Sequence, residues 1–308
     1  MQPNIQFLIQ PIIENYFKLR GFFEGTYTLR IFDNFFELFF KIAPYLIISI
    51  AINVAAIRYF RGKKFTLTSK SRIISIFIGA FIGLISPLPT YAAIPIGVSL
   101  AAAGVPFSAI MSFILSSPLM NPSVFFLTAA ELGIEMAIAR TLTAFLIAVT
   151  GGLISMKIFR LINMQNAIKK PYENKTRSIR NEIYRNSLYV AKTFSFAILI
   201  SAAVKSLIPQ STITTMLGSN ATTGTLVAIG LGIPFYTCGG AAIPFMETLY
   251  ELGMSKGAIL AFFIAGPATK LETLYAYKTS LGGKVLTFYL ILTLLFSYIA
   301  GLIYSLLI

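Results

Sequence analysis

Six runs of about 20 or more mostly apolar residues constrain this chain more than any other feature of its sequence. A helix needs about 20 such residues to cross a bilayer, and the runs lie at 35–57, 106–130, 134–158, 188–208, 256–280 and 284–307. Only 12% of all residues are charged, whereas a soluble domain has about 25%. The sequence therefore predicts an all-α polytopic membrane protein and excludes a soluble globule.

Residue types that serve catalysis or metal binding are scarce in this chain. It has no histidine, one cysteine (Cys238) and one aspartate (Asp33). These numbers exclude Ser-His and Cys-His catalysis, histidine-ligated metals, intrachain disulfides and a two-aspartate intramembrane protease. We therefore expect no enzyme and no resident cofactor or metal, and a transport protein is the class that fits.

Two further apolar regions, 73–103 and 222–252, are each too long for one crossing and are broken in the middle. The breaks read Ser86-Pro-Leu-Pro-Thr90 and Pro234-Phe-Tyr-Thr-Cys-Gly-Gly240. The first arm, 73–86, would be about 21 Å long as a helix, shorter than a hydrocarbon core of about 30 Å. Each region is predicted to be a broken helical hairpin, with two short tilted spans as the alternative. With the six runs, this makes about 8–10 membrane helices or half-helices.

The distribution of charge predicts how the chain is oriented. The net charge is +14, and basic residues concentrate in the loops 58–72 and 157–187. Cytoplasmic loops of membrane proteins carry an excess of Lys and Arg, so both loops are expected in the cytoplasm. The connections 131–135 and 209–221, without Lys or Arg, are expected outside. The partner of this basic chain is thus predicted to be a lipid bilayer and not a nucleic acid.

These features divide the chain into four predicted parts. Residues 1–34 mix apolar and charged side chains, which favours an amphipathic helix on the membrane surface, with a flexible lead-in as the alternative. The first transmembrane repeat is 35–158, the basic cytoplasmic linker is 159–187, and the second transmembrane repeat is 188–308.

The two transmembrane parts match each other at an offset of 149 residues. Ala92-Ala-Ile-Pro95 aligns with Ala241-Ala-Ile-Pro244, and without a gap Pro118 falls on Pro267. The first half is predicted to begin outside and the second in the cytoplasm, so the repeats are predicted to be inverted. Inverted repeats with broken helices are typical of secondary transporters, whose substrate site lies near the midplane. We therefore expect the site between the two broken hairpins.

The break in the second hairpin contains distinctive chemistry. Gly239 and Gly240 allow a ligand to approach the backbone, and the helix after them offers N–H groups to anionic or electron-rich solutes. The Cys238 thiol, which follows Tyr236 and Thr237, is a soft ligand of the kind that binds trivalent arsenic. A small buried apolar residue is the alternative interpretation of Cys238.

The first hairpin break consists of Pro89, Thr90 and Tyr91 with their neighbours, and it has neither glycine nor cysteine. Pro89 occupies the place of Cys238. A soft-ligand role is therefore predicted for the second half alone.

The next run of each half is also predicted to break, at 116–122 and at 265–271. Each break contains a proline, Pro118 or Pro267, that removes a helix hydrogen bond. Asn121, Thr269 and Lys270 follow within about one turn. We predict that these five residues also belong to the site.

Lys270 is expected to need a partner, because an ammonium at membrane depth costs at least about 2.5 kcal/mol. Glu247 and Glu272 are the nearby carboxylates in the sequence. A Lys270–Glu247 pair would gate the site or carry a proton, whereas an accessible Lys270 would neutralise an anionic substrate. A purely structural pair is the remaining alternative.

Two other basic residues inside the runs are predicted to be structural. Arg140 is expected to reach Glu135 or Glu131 near the membrane surface, and Lys41 to pair with Glu37 one turn away.

Three segments of the second half resemble the signature of a known family. The run 234–244, followed by Gly253-Met-Ser-Lys-Gly-Ala258 and Ala261-Phe-Phe-Ile-Ala-Gly-Pro-Ala-Thr-Lys270, is similar to the signature of a predicted permease family. This family, formerly a domain of unknown function, includes ArsP-type organoarsenical efflux permeases. The resemblance covers most of the chain in helix order and is strongest in 234–272, with a weaker match in 87–122.

The resemblance implies a multi-pass permease of the prokaryotic inner membrane, some of whose relatives export trivalent methylated or aromatic arsenicals. Members often carry Cys-Ser-Cys-Gly, in which Cys238 corresponds to the second cysteine and Tyr236 replaces the first. A clamp of two thiols therefore cannot form, although one thiol can still bind an organoarsenical.

The leading hypothesis is a secondary efflux permease for a small solute. Trivalent organoarsenicals are the candidate substrates. The chain has no nucleotide-binding motif, so its energy would come from a proton or ion gradient. One alternative is an anion permease that uses Lys270 and the hairpin helix N-termini. Another is a scaffold that transports nothing and holds a soluble partner on its basic linker. The sequence does not indicate an oligomeric state.

Overall fold

The computed structural model describes residues 26–60, 71–86, 90–102, 104–158, 179–218, 221–232 and 242–307. These residues form thirteen helices and contain no β-strand, which confirms the all-α prediction. Most of the predicted N-terminal segment, the middle of the loop 58–72 and most of the linker 159–187 lie outside the described residues.

The helices of the first half are α1 Tyr27–Phe60, α2 Arg72–Ile85, α3 Thr90–Ala102, α4 Phe107–Ser116, α5 Pro122–Leu132 and α6 Ile134–Ile158. Those that follow are α7 Ile179–Leu207, α8 Gln210–Ile213, α9 Ala221–Gly232, α10 Ile243–Glu251, α11 Lys256–Thr269, α12 Leu271–Ser280 and α13 Gly283–Leu307. A single π-helical turn, Thr214–Gly218, extends α8.

Among the described residues, α6 and α13 are the helices that are long and apolar enough to cross a bilayer on their own. Each has 25 residues and is therefore about 38 Å long. Two bent pairs, α7 with α8 and α11 with α12, add up to two more spans. The predicted runs 134–158 and 284–307 are thus present as continuous helices.

The run 106–130 breaks where the sequence predicts, and it forms two helices, α4 and α5, separated by residues 117–121. The chain turns here because Pro122 stands in the first turn of α5, where its missing N–H is not needed. Asn121 caps the new helix, since its Oδ1 accepts a hydrogen bond from Val124 N at 3.0 Å. In the second half, Pro267 lies inside α11 and the break follows at Lys270.

The apolar surface of the bundle fits a lipid environment. Large side chains such as Phe81, Leu146 and Ile291 are exposed over more than half of their surface. Soluble monomers rarely expose apolar patches of this extent. These faces would be covered by lipid.

The two halves share helix order and turn geometry. Helix α6 maps onto α13 at an offset of 149 residues at both ends. The turn glycines Gly104 and Gly253 have φ of 87° and 98°, and Gly133 and Gly282 have φ of 90° and 87°. Positive φ is easily adopted only by glycine, so the same two turns are built in the same way in each half.

Contacts between helices also recur at this offset. A Cβ placed on Gly152 of α6 would lie 2.6 Å from Ile76 Cγ2, and one on Gly301 of α13 would lie 2.7 Å from Thr225 Cγ2. Both pairs of positions differ by 149. The halves are therefore related in structure as well as in sequence, while their opposite orientation in the membrane stays a prediction.

The halves interlock through two hydrophobic cores. The first core consists mainly of residues from α2 to α6, but it includes Ile264 and Ala268 of α11. The second consists mainly of second-half residues, but it includes Leu38 of α1 and Leu127 of α5. In addition, α3 packs on α12 and α10 packs on α5. The second arm of each hairpin thus contacts the other half.

Candidate functional site

The first arm of each hairpin packs against the break in the next helix of its own half. On α2, a Cβ at Gly83 would collide with Ser116 Oγ at the end of α4. On α9, a Cβ at Gly232 would lie 3.2 Å from the backbone N of Gly266, near the end of α11. Gly83 and Gly232 are 149 residues apart. Close approach at these glycines therefore brings the end of each first arm near a break in the next helix.

Several predicted site residues lie outside the described residues, so their role stays a prediction: Pro89, Tyr236, Thr237, Cys238, Gly239 and Gly240. The backbone of Thr90 and Tyr91 begins α3, and that of Glu272 belongs to the first turn of α12.

The predicted residues at the helix breaks have mostly local contacts. Pro118 lies in the turn between α4 and α5, and Asn121 is the N-cap of α5 described above. Thr269 Oγ1 donates to the Ala265 carbonyl of its own helix at 3.0 Å. Lys270, half-buried, joins α11 to α12. These residues lie at the breaks, and their contact with a solute stays a prediction.

Glu247, one of the two partners predicted for Lys270, forms its ion pair with Lys41. Lys41 Nζ on α1 lies 2.5 Å from Glu247 Oε1 on α10 and 3.4 Å from Glu251 Oε1. The Glu247 residue is only 5% exposed. A carboxylate this deeply buried needs a compensating charge.

The predicted Lys41–Glu37 pair is wrong. Glu37 lies 3.7 Å from Lys205 Nζ on α7, and Lys205 also lies 3.5 Å from Glu251. A pair within one exposed helix gains only about 0.2–0.5 kcal/mol. Lys41 instead neutralises a buried carboxylate on a neighbouring helix, where the gain is larger.

A third carboxyl group completes this arrangement. Glu131, at the end of α5, interacts with Glu247, Lys41 and Glu251. Its Oε1 is buried without a hydrogen-bond partner, and so is Glu247 Oε2. Glu131 belongs to the predicted outer connection 131–135. Burial and the neighbouring Glu247 raise the pKa of Glu131 to about 8.

We call this group the carboxyl cluster: Glu37, Lys41, Glu131, Lys205, Glu247 and Glu251. It joins α1, α5, α7 and α10, and it includes residues from both halves. Outside this cluster, Glu135 of α6 forms an ion pair with Lys256 of α11 at 3.5 Å. Among the described residues, no three His, Cys, Asp or Glu side chains are arranged to hold a metal ion.

Arg140, which was predicted to be structural, is fully buried inside the bundle. Its Nη1 donates to Thr128 Oγ1 at 3.2 Å, and its guanidinium carbon lies 4.2 Å from the centre of the Phe263 ring. The aromatic face compensates part of the buried positive charge. Glu135, one of the two partners expected for Arg140, pairs instead with Lys256.

The equivalent positions in the second half carry aromatic side chains. Tyr277 and Tyr289, 149 residues after Thr128 and Arg140, are fully buried and stacked with ring centres 4.0 Å apart. Neither hydroxyl has a hydrogen-bond partner. The halves thus share a backbone plan but differ in the chemistry of their interiors.

Sequence reasoning assigned no functional role to Lys41 or Glu131. The available signal was the cost of a charge within or beside an apolar run, and it applied to both residues. Their partners could not be inferred, because they come from helices that are distant in the sequence.

Comparisons with known proteins agree with this architecture. UPF0718 protein MJ0584 of Methanocaldococcus jannaschii is 29% identical over 160 residues, which are 50% of this chain and 44% of that protein. The matched region thus spans less than half of that relative. UPF0718 protein YcgR of Bacillus subtilis (strain 168) is 23% identical over 266 residues, 80% of this chain and 87% of that protein. No solved structure matches.

A family profile described as a predicted permease, ArsP_1, matches residues 28–306. The match extends from the beginning of α1 to the end of α13. It thus includes both halves and every described helix break. Together with the apolar helices, this match shows that the chain is a membrane protein that belongs to the predicted permease family ArsP_1.

Proposed function

We propose that this chain is a secondary permease whose small solute passes between the paired helix breaks of its two halves. The main support is the packing of each hairpin arm, through Gly83 and Gly232, against the break in the next helix. Interrupted helices at membrane depth are tolerated where they are buried in protein or line a water-filled cavity. In secondary transporters they form the substrate site.

For the substrate we propose a trivalent organoarsenical, moved outward. Cys238 supplies the soft ligand that trivalent arsenic prefers, and it stands in the glycine-rich second hairpin break. The family resemblance supports the same substrate class. A single thiol would hold the arsenical less tightly than a two-thiol clamp, which favours release on the far side.

The test is flux of methylarsenite in liposomes containing the purified protein. The wild type is expected to move it, and Cys238→Ser is expected to reduce the flux at least about tenfold, equivalent to about 1.4 kcal/mol. Thermal denaturation in detergent checks that the variant is folded. Equal flux through both proteins would remove the thiol from the mechanism.

A second candidate is an anion permease, supported by the position of Lys270 between α11 and α12. Arsenate and phosphate, tested in the same liposomes, distinguish the two. Oxyanion flux that Lys270→Ala abolishes and Cys238→Ser leaves unchanged would favour the anion permease. Absence of flux for every solute would contradict a permease and favour the membrane scaffold.

A further inference from the structure

The carboxyl cluster contains a buried carboxyl group, Glu247, and a half-buried one, Glu131, that the proposed solute path does not use. Glu131 is on α5 of the first half and Glu247 is on α10 of the second. The two groups interact directly. Each also has one oxygen, Glu131 Oε1 and Glu247 Oε2, that is buried without a hydrogen-bond donor.

Such an arrangement favours protonation of one of the two carboxyl groups. A buried carboxylate oxygen without a donor is costly, and two adjacent carboxylates cannot both ionise cheaply. One proton on Glu131 would provide an O–H that donates to the Glu247 carboxylate. The same proton would remove the repulsion between the two groups.

The surrounding charges fit a single shared proton. From α1, Lys41 neutralises the one negative charge that remains on the pair, at 2.5 Å from Glu247. On α10, Glu251 forms ion pairs with Lys41 and with Lys205 of α7. Lys205 also forms an ion pair with Glu37. The other helix that packs on α5 is α6.

The charged groups of α6 have contacts of their own. The buried Arg140 donates to Thr128 of α5, and the exposed Glu135 pairs with Lys256. The protonated pair with Lys41 is therefore close to electrically neutral.

We propose that Glu131 and Glu247 bind one proton between them and form the site at which the permease is coupled to a proton gradient. This inference rests on the proposed function and names its coupling ion. The pair lies where α5 contacts α10, one helix from each half. Loss of the proton leaves two adjacent anions, which repel each other and favour separation of the two helices. Protonation would thus bias the packing of one half against the other, as coupling requires.

Infrared spectroscopy tests proton binding without any substrate. The purified wild-type protein in detergent, titrated from pH 6 to pH 10, is expected to lose one protonated-carboxyl band with a midpoint near the Glu131 pKa of about 8. Glu131→Gln should lack the band, since its amide replaces the proton donor. Glu135→Gln is the matched control, because the Glu135 side chain is 71% exposed and outside the pair, and it should keep the band.

Glu247→Gln serves as the second variant if Glu131→Gln does not fold. It is expected to lower the midpoint of the titration, because Glu247 no longer adds to the effect of burial on the Glu131 pKa. No band in the wild type, or a band with an unchanged midpoint in both pair variants, would overturn the inference. Because this measurement needs no solute, it gives its answer even if the proposed permease function fails.

Transport gives the second readout. In liposomes with methylarsenite as the probe, an imposed pH gradient should drive accumulation by the wild type and by Glu135→Gln. Glu131→Gln should lose this accumulation at least about tenfold while keeping methylarsenite exchange at equal pH. Accumulation that is equally driven in Glu131→Gln would overturn the coupling role and leave the permease proposal intact.

Discussion

Arg140 and Glu247 are the two charged residues classed as buried among those that the structure describes. They are compensated in different ways. Glu247 is neutralised by an ammonium, whereas Arg140 lies against an aromatic ring and donates to a hydroxyl. A buried charge that loses one of its contacts leaves a polar group poorly solvated. Substitution of a residue that contacts either of them should therefore lower the stability of the protein measurably.

Thr128→Val tests this for Arg140. The change removes the acceptor of the Arg140 Nη1 hydrogen bond and is expected to cost about 1–2 kcal/mol of stability. Thr141→Val is the matched control, since the Thr141 hydroxyl bonds the Ala137 carbonyl of its own helix. Thermal denaturation in detergent should show a lower midpoint for Thr128→Val alone. An equal loss in both variants would contradict a specific role for this contact.

At the scale of helices, close packing at glycines positions the breaks. The end of α2 approaches α4 so closely that any side chain at Gly83 would meet the Phe113 carbonyl, at 2.6 Å, as well as Ser116 Oγ. A backbone carbonyl cannot move aside as a flexible side chain can. The helix would have to shift, and its end at Ser86 would shift with it.

Gly83→Ala is therefore expected to destabilise the protein by about 1–3 kcal/mol, as overpacking does. Gly230→Ala on α9 is the matched control, because no atom lies within 4 Å of its added Cβ. It should raise stability by up to about 1 kcal/mol through helix propensity. The measurement is again the denaturation midpoint in detergent. A Gly83→Ala protein as stable as Gly230→Ala would show that α2 and α4 are not tightly packed.

At the scale of the molecule, two halves with one helix plan are joined through shared cores. Their predicted inverted orientation has a simple consequence. Equivalent residues, 149 positions apart, should face opposite sides of the membrane. Glu135 and Lys284 are such a pair, each near the beginning of a 25-residue helix.

Single-cysteine labelling tests the orientation. In a Cys238→Ser background, Glu135→Cys should react with a membrane-impermeant thiol reagent in intact cells. Lys284→Cys should react only after the membrane is opened, because the basic side is expected in the cytoplasm. Labelling of both positions from the same side would contradict the inverted repeat.

Much of the fold was accessible from local patterns. Helices α6 and α13 coincide with their predicted runs to within a residue, because 25 consecutive, mostly apolar residues follow a glycine in each case. The break in the run 256–280 was expected within 265–271, and it comes at Lys270, three residues after Pro267. A proline removes one hydrogen bond without ending a helix that its neighbours hold in place.

The sequence by itself determined the membrane class, the all-α fold and the family, since all of these depend on hydrophobic length and on local motifs. Only the tertiary structure decided which charges meet. Lys41 is joined to Glu247 and not to Glu37, and Glu131 stands beside Glu247. The physical reason is that a buried charge is neutralised by whichever opposite charge packing brings within reach. That partner comes from a helix about two hundred residues away in the chain.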